Sequence, residues 1–491
     1  MNFTRLRIYS IIYLAIPNLI FSWAWFRWEV ALVTSICYVL LFKYMLFGNE
    51  EADVLTARIG DIVFILCYSF IWTSLTGVGG FFSQSLDFIP HNTKHYDLFK
   101  STWPIFFNEV NQYACYYFGY YLVPALISKM VGSFSVAAIF IWSWIGMALG
   151  AFWVYMLIEK NKFLMMVFPF LWTLPFILPK FIASLIPIFP DTHYFEWMWG
   201  LFNQSLWVIN QIIPSLIVAG LILYNTSYEK SPLKSFFPVI LCFVWAVFPA
   251  VIFGLISFLI AITSKYSKFS AAAILNNVIV PGIIFIPICL YLTSSDGLPV
   301  KGFMWEFYSL TTIIVQFSAG VIFEIIIFIA LSFLLLKYST RFSGTLIICV
   351  YITVIPLLLY KIGFANDLQT RGVLPIGIMG TIIFLHLASK AMAQLKLANS
   401  NFYYCLVFLM CLSFYNPLGV NSTLLQNKLM SRLFPGRFET HVYAYDSYPN
   451  TYQMLLQEYS TKEAKQYLGK KNSVYEKFLM RKVVVSHNSL K

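Results

Sequence analysis

The sequence predicts an all-α polytopic membrane protein, and three observations carry that prediction. Of 491 residues only 11% are charged while 59% are hydrophobic, against roughly 25% charged in ordinary soluble domains; a soluble globule is excluded. Mean hydropathy is +0.74, and the apolar residues gather in runs of about twenty, the length that crosses a ~30 Å hydrocarbon core. The runs are continuous, as in VAAIFIWSWIGMALGAFWVYML and FSAGVIFEIIIFIALSFLLL, whereas a transmembrane barrel would alternate in segments of about ten.

In chain order, Arg5 and Arg7 precede an apolar run at about 8–26 that closes on Trp23, Trp25, Phe26 and Trp28. No small-residue cleavage site follows, so this is an uncleaved first helix ending in an interfacial aromatic belt. Further apolar spans lie at about 29–47, 61–77, 113–130, 134–157, 163–187, 207–225, 236–263, 277–293, 311–336, 344–362, 372–392 and 402–418. They predict about 11–14 transmembrane helices. Three regions escape the pattern: 78–112, 188–206 and everything after about 420. The chain thus divides into a transmembrane domain, 1–419, and a polar, helical C-terminal domain, 420–491.

Lys and Arg collect on the cytoplasmic side of membrane proteins. Arg5 and Arg7 then set the N-terminus inside and loop 78–112 outside, and Lys230, Lys234, Lys265, Lys268, Lys337, Arg341, Lys390 and Lys396 are expected inside. Simple parity does not deliver this. It is restored if YACYYFGYYLVPALI, rich in interfacial tyrosine, fails to cross, and if 236–263, broken at Pro249, is a hairpin that returns before Lys265. Irregular backbone at membrane depth is tolerated only where protein or a water-filled cavity covers it, so two such breaks predict a cavity.

The net charge of +12 would point a soluble protein toward nucleic acid; here it sits mostly in short loops and the tail, and reports orientation instead. The tail carries eleven Lys/Arg and five acids. Long segments translocate regardless of charge, so parity decides, and it puts the tail outside. YQMLLQEYSTKEAKQYLGKKNSVYEKFLMRK reads as amphipathic helix, with Gly469 a stop, lying on the membrane face or capping the cavity mouth. The eight cysteines lie in or beside spans with no CxxC pair, as small buried hydrophobes do.

The richest segment for chemistry is GVGGFFSQSLDFIPHNTKHYDLFKSTWPIFF, 77–107. Gly77, Gly79 and Gly80 permit a sharp exit from the bilayer. Pro90 suits the first turn of a short helix, and His91, His95 and Leu98 at i, i+4, i+7 give it one face along the membrane surface. Asp87 sits just before it at the edge of hydrocarbon, where a carboxylate accepts a proton as general base or binds a cation. The alternative for Asp87, and more so for Asp97, is an ordinary capping or solvated carboxylate. His91 could assist Asp87 or hydrogen-bond a phosphate, or be a wet interfacial ring.

The second polar island is DTHYFEWMWGLFNQSLWVINQIIP, 191–214. Glu196 among Trp197, Trp199 and Trp207 has the composition of a sugar or headgroup site, because indoles stack on pyranose C–H faces while carboxylates and amides hold hydroxyls. Trp also crowds membrane interfaces for its own reasons. Gln204, Asn210 and Gln211 carry amides onward at helical spacing. In FANDLQTRGVLP, Asp367 and Arg371 stand at i, i+4: either a helix-end salt bridge of little worth, or an arginine held for phosphate. Glu324 lies inside an apolar span, where an ionisable residue is by default a functional hypothesis. No GxxxxGKS loop, DxD, HExxH or GxSxG elbow occurs, which argues against a nucleotide-driven enzyme.

A first long extracytoplasmic loop bearing Asp87 and His91 on a membrane-parallel helix, about a dozen spans and a small polar C-terminal domain resemble the GT-C class of integral-membrane glycosyltransferases. GGFFSQSLDFIPHN, YYFGYYLVPALISK, EWMW, WVINQIIP and NDLQTRGVLP, across roughly residues 60–400, are similar to a group of uncharacterised bacterial membrane proteins in or near that class. Two extra spans before the catalytic-type loop depart from its layout. The resemblance implies a polyprenyl-phosphate sugar donor, a glycan or lipid acceptor, and Asp87 as general base. It sets His91 and Arg371 at the donor phosphate and Glu196 with Trp197 on the sugar; Gln204 and Asp97 are further substrate-binding candidates from their place in the two polar segments. Some members use a divalent cation and others none; Asp87 and Asp97 alone are too few to hold one. A flippase for lipid-linked oligosaccharides, favoured by Glu324 and the broken spans, is the alternative from another class. A polysaccharide polymerase, for which more outer-loop arginines than Arg371 are expected, is the third.

Overall fold

The computed structural model describes residues 1–46, 55–171, 200–297, 300–314, 325–363, 366–397, 401–412, 426–434, 436 and 440–482. The chain is a multi-pass helical membrane protein. Among the described residues, six helices are long and apolar enough to cross a membrane: Phe3–Trp25, Trp28–Met45, Val136–Leu157, Leu201–Ser227, Ala271–Leu292 and Asp367–Leu397. Shorter apolar helices, among them Ile59–Leu75, Val247–Thr263 and Asn401–Cys411, stand beside them. Leu201–Ser227 is the core of the bundle, buried along nearly its whole length, the amides Asn203, Gln204, Asn210 and Gln211 of its first half included. It packs on Val136–Leu157 and on Asp367–Leu397. Small residues let membrane helices approach closely: a methyl added at Gly150 would lie 2.6 Å from Leu216 Cβ.

The basic loops converge on one end of the bundle. Ala57 N–H donates to Met1 O (2.8 Å), Lys160 Nζ reaches Thr56 O (3.1 Å), and Lys390 pairs with Glu159 (3.3 Å). Arg7 (2.8 Å) and Lys234 both hold Glu229, and Lys230 donates to the Tyr266 hydroxyl (2.9 Å). The opposite end holds loop 78–112 and the C-terminal segment together. Ser83 N–H donates to Gln426 O (3.0 Å), Gly469 N–H to Tyr113 O (2.7 Å), and the Tyr475 hydroxyl to Trp25 O (3.0 Å).

Both breaks expected from charge placement are present. Gly119–Val131 has 13 residues, about 20 Å of helix at ~1.5 Å per residue, short of the ~30 Å core. It starts inside the bundle, with Gly119 N–H on Val244 O (2.7 Å), and ends where Lys129 Nζ donates to Ser101 O (2.6 Å) at the loop end. Phe236–Cys242 and Val247–Thr263 form the hairpin, rising from Lys234 and returning to Lys265 at the basic end. Its interruption lies at 243–246, ahead of Pro249 rather than at it. Pro249 occupies the first turn of the second helix, where a missing N–H costs nothing. The first span and the hairpin bond to each other in both directions: Asn18 Nδ2 of the span donates to Leu241 O (2.9 Å), and Trp245 Nε1 of the hairpin donates to Leu14 O (3.2 Å).

Glu229, only 2% exposed, holds two buried cations together. Glu229→Gln leaves Arg7 and Lys234 uncompensated and should cost about 3–5 kcal/mol, read as a lower unfolding temperature of the purified protein; an unchanged temperature would contradict this account.

Candidate functional site

The chain leaves the span Ile59–Leu75 through Gly77, whose φ of +90° places it in the left-handed region open to glycine. Gln84 then knits the loop: Nε2 donates to Gly77 O (3.0 Å) and Oε1 accepts from Tyr443 N–H (2.9 Å) of the C-terminal segment. The short helix runs Phe88–Lys100, with Pro90 in its first turn and Asp87 at its N-cap position. The Asp87 side chain does not cap. Its Oδ2 turns to Arg371 Nη2 at 3.3 Å, both side chains partly exposed. Arg371 thus pairs across 284 residues of sequence, not with Asp367 one turn away.

This helix is enclosed rather than laid on a surface: it packs between Gly119–Val131 and the tail helix Thr451–Glu458. The face that matters is Asp87, His91 and Lys94, at i, i+4 and i+7, in place of His91, His95 and Leu98. These three border a cavity of about 210 Å³ with Tyr117, Gln211, Asp367 and Arg371 from the spans and Tyr459, Glu463 and Tyr467 from the tail. The tail therefore closes the cavity.

Lys94 is 2% exposed. Its ammonium lies 4.2 Å from the Tyr116 ring, 5.0 Å from Tyr467 and 5.8 Å from Tyr121. Burial lowers its pKa to about 7, against the pull of Asp87, while ring faces favour the charged form. Lys94 is a cation held near its own titration point beside an ion pair.

The remaining expected residues divide. His91 Nδ1 lies 2.6 Å from the Tyr121 hydroxyl and Nε2 lies 3.1 Å from Trp207 O. A carbonyl only accepts, so Nε2 carries the proton and Nδ1 accepts from Tyr121; burial holds the ring neutral. His91 borders the cavity but has no nitrogen left for a phosphate or for Asp87. His95 is buried edge-on to Tyr120 and Tyr121, its pKa lowered by burial to about 3. Asp97 is not a cavity residue: its carboxylate accepts from Thr451 N–H (2.9 Å), Thr451 Oγ1 (2.8 Å) and Ser101 Oγ (2.9 Å). It anchors the first residue of the tail helix, whose N-cap is Asn450. Gln204 donates to Thr370 O (3.3 Å), bracing the turn that presents Arg371. Glu196, Trp197 and Glu324 lie outside the described residues.

Sequence reasoning missed Lys94, although its i+7 spacing from Asp87 was visible. Gln211, expected only as one of three amides at helical spacing, does border the cavity: its Nε2 donates to the Tyr117 hydroxyl (3.1 Å) and its buried Oε1 has no partner among the described residues. Tyr459, Glu463 and Tyr467 lie in the tail stretch for which capping the cavity mouth was one of two readings, but nothing in the sequence singled out these three side chains. Asp87, Asp367 and Glu463 share the cavity, but among the described residues no three His, Cys, Asp or Glu side chains cluster as metal ligands.

Compared with known proteins, the chain matches no family model, no curated protein and no solved structure.

Gly469 passes so close to Tyr113 that an added methyl would overlap its ring. Gly469→Ala should therefore cost about 1–3 kcal/mol, and Asp97→Ala should loosen the same segment by leaving Thr451 N–H and Oγ1 without their acceptor. Both should speed proteolysis within 440–482 while the bundle stays intact; tails as resistant as the wild type would refute the docking scheme.

Proposed function

We propose that the protein is an inverting glycosyltransferase of the bacterial cytoplasmic membrane, moving a sugar from a polyprenyl-phosphate donor to a surface glycan or lipid acceptor. The observation that carries this reading is the Asp87–Arg371 pair beside Lys94, which border, with Asp367 and Glu463, a cavity of a membrane-spanning bundle. By the tendency of basic loops to stay in the cytoplasm, the cavity end faces outward, where a lipid-linked donor and a water-borne acceptor meet. No nucleic acid enters this reading; membrane lipids surround it.

The roles follow from charge. Asp87 takes the proton of the acceptor hydroxyl as its oxygen attacks the anomeric carbon. The bond from that carbon to the phosphate oxygen breaks, and the electron pair leaves with the polyprenyl phosphate. Arg371 and Lys94 meet the charge that gathers on that leaving group, which is where preorganised cations accelerate most. Gln211 and Tyr117 offer hydrogen bonds to sugar hydroxyls. Asp87→Asn keeps the shape and removes the base, so transfer of radiolabelled sugar from polyprenyl-phosphate donors should fall about 10²–10⁴-fold with normal membrane insertion. Full activity would remove the central claim.

Only the ammonium form of Lys94 attracts a phosphate, and its pKa is lowered to about 7. Donor binding should be strongest below that pH and weaken as pH rises through it. Lys94→Arg, charged throughout, should abolish the decline, and Lys94→Met should give weak, pH-independent binding. An identical pH profile in all three would exclude Lys94 from the donor site.

The meeting of two re-entrant segments at Gly119 and Val244, beneath Tyr117, supports a second reading, a flippase for lipid-linked oligosaccharides, since transporters use such broken helices. Under it no new glycosidic bond forms and Glu324→Gln blocks flux.

A further inference from the structure

At the basic end of the bundle lies a second cavity, of about 340 Å³, within the roughly 300–1,000 Å³ range of small-ligand clefts. It lies where the helices Leu201–Ser227 and Val247–Thr263 end and Gly344–Tyr351 begins. Lys230, Lys265 and Arg341 border it, and among the described residues no acid does.

The neighbouring rings steer these cations without neutralising them. Lys230 donates to the Tyr266 hydroxyl (2.9 Å), Lys265 lies 5.3 Å from the same ring, and Arg341 stacks 4.3 Å over Tyr228. The nearby carboxylates are committed elsewhere: Glu229 to Arg7 and Lys234, and Glu159 to Lys390 and the His386 ring. Among the described residues, none of the three cavity cations has a carboxylate within ion-pair distance. Thr226, also on the cavity wall, has a buried hydroxyl with no hydrogen-bond partner among the described residues. The floor is apolar, built from Ile260 and Leu346. Ile262 and Ile348 beside them are more than half exposed and continue the apolar surface toward lipid.

Three unpaired cations and an orphan hydroxyl above an apolar floor complement one chemistry. We propose that this cavity binds a phosphate-bearing anion, its phosphate oxygens on Lys230, Lys265 and Arg341, with an anionic phospholipid headgroup or a soluble phosphate ester as its source. Arginine's planar fork meets two phosphate oxygens at once, and lysines near a membrane surface draw anionic lipid. The site is independent of the glycosyltransferase reading.

The test uses the full chain in nanodiscs of phosphatidylcholine with or without phosphatidylglycerol. Lipid retained after extraction is counted by native mass spectrometry, and soluble glycerol phosphate is titrated into the phosphatidylcholine discs while thermal unfolding is followed. Each cation should contribute about fivefold, so Lys230→Gln, Lys265→Gln and Arg341→Gln together should weaken binding on the order of a hundredfold. The same charge change at Lys268, Lys337 and Lys396, none of which borders the cavity, should leave binding near wild type. Retained phosphatidylglycerol assigns the lipid source, and a thermal upshift with glycerol phosphate assigns the soluble one. Either must disappear in the cavity triple, or drop about fivefold in Arg341→Gln alone should the triple fail to fold. Equal loss in both triples, or neither retention nor upshift in the wild type, overturns the proposal.

Discussion

The hydrogen bond from Gly119 N–H to Val244 O (2.7 Å) joins the tips of two segments that enter the bundle without crossing it. Backbone that is not helical has nothing to bond with in hydrocarbon, and each unpaired group costs several kcal/mol. Each tip therefore needs the other. Gly119 permits the contact, since a side chain there would sit 2.8 Å from Val244 O. With the tips paired, the tyrosines just before Gly119 are positioned to face the cavity, and Tyr121 is set to receive His91.

From that floor the cavity is assembled by parts that have little hold on one another locally. Gln204 braces the turn before Arg371, His91 ties the Asp87 helix to the bundle, and Asp97 fastens the tail over the top. Each is a polar group whose bonds are satisfied within the protein, which is what permits its burial. Asp87, Arg371 and Lys94 are the groups left with a share of the open space. The opposite end has the reverse arrangement: Glu159 and Glu229 are held in ion pairs, and Lys230, Lys265 and Arg341 border a cavity.

Much of the architecture was legible because it follows from rules that act along the chain. The re-entrant segments could be inferred from the positions of Lys230, Lys234 and Lys265, since charge and span count had to agree. The interruption was read at Pro249 because proline breaks helix interiors, whereas the chain turns at 243–246 and uses proline to begin the next helix. Asp87 stood out by its place at the hydrocarbon edge, and its neighbours at i+4 and i+7 share its face by helical geometry. Reading His91, His95 and Leu98 as that face assumed a helix on a wet surface; the tail encloses the helix and reverses which side is open.

Composition and the spacing of apolar runs by themselves determined a helical, multi-pass membrane protein with its basic loops gathered at one end, because hydrophobic length and loop charge act residue by residue. Which polar groups would remain available was decided only by tertiary structure. His91 and Asp97 carry the residue types of a catalytic site, yet partners 30 and 354 residues away consume their bonding capacity. Arg371 acquires Asp87 across 284 residues, and Lys94 owes its depressed pKa to burial that no local pattern announces. A side chain's chemistry is the difference between what it offers and what the fold has already claimed, and the second quantity exists only once the chain has closed on itself.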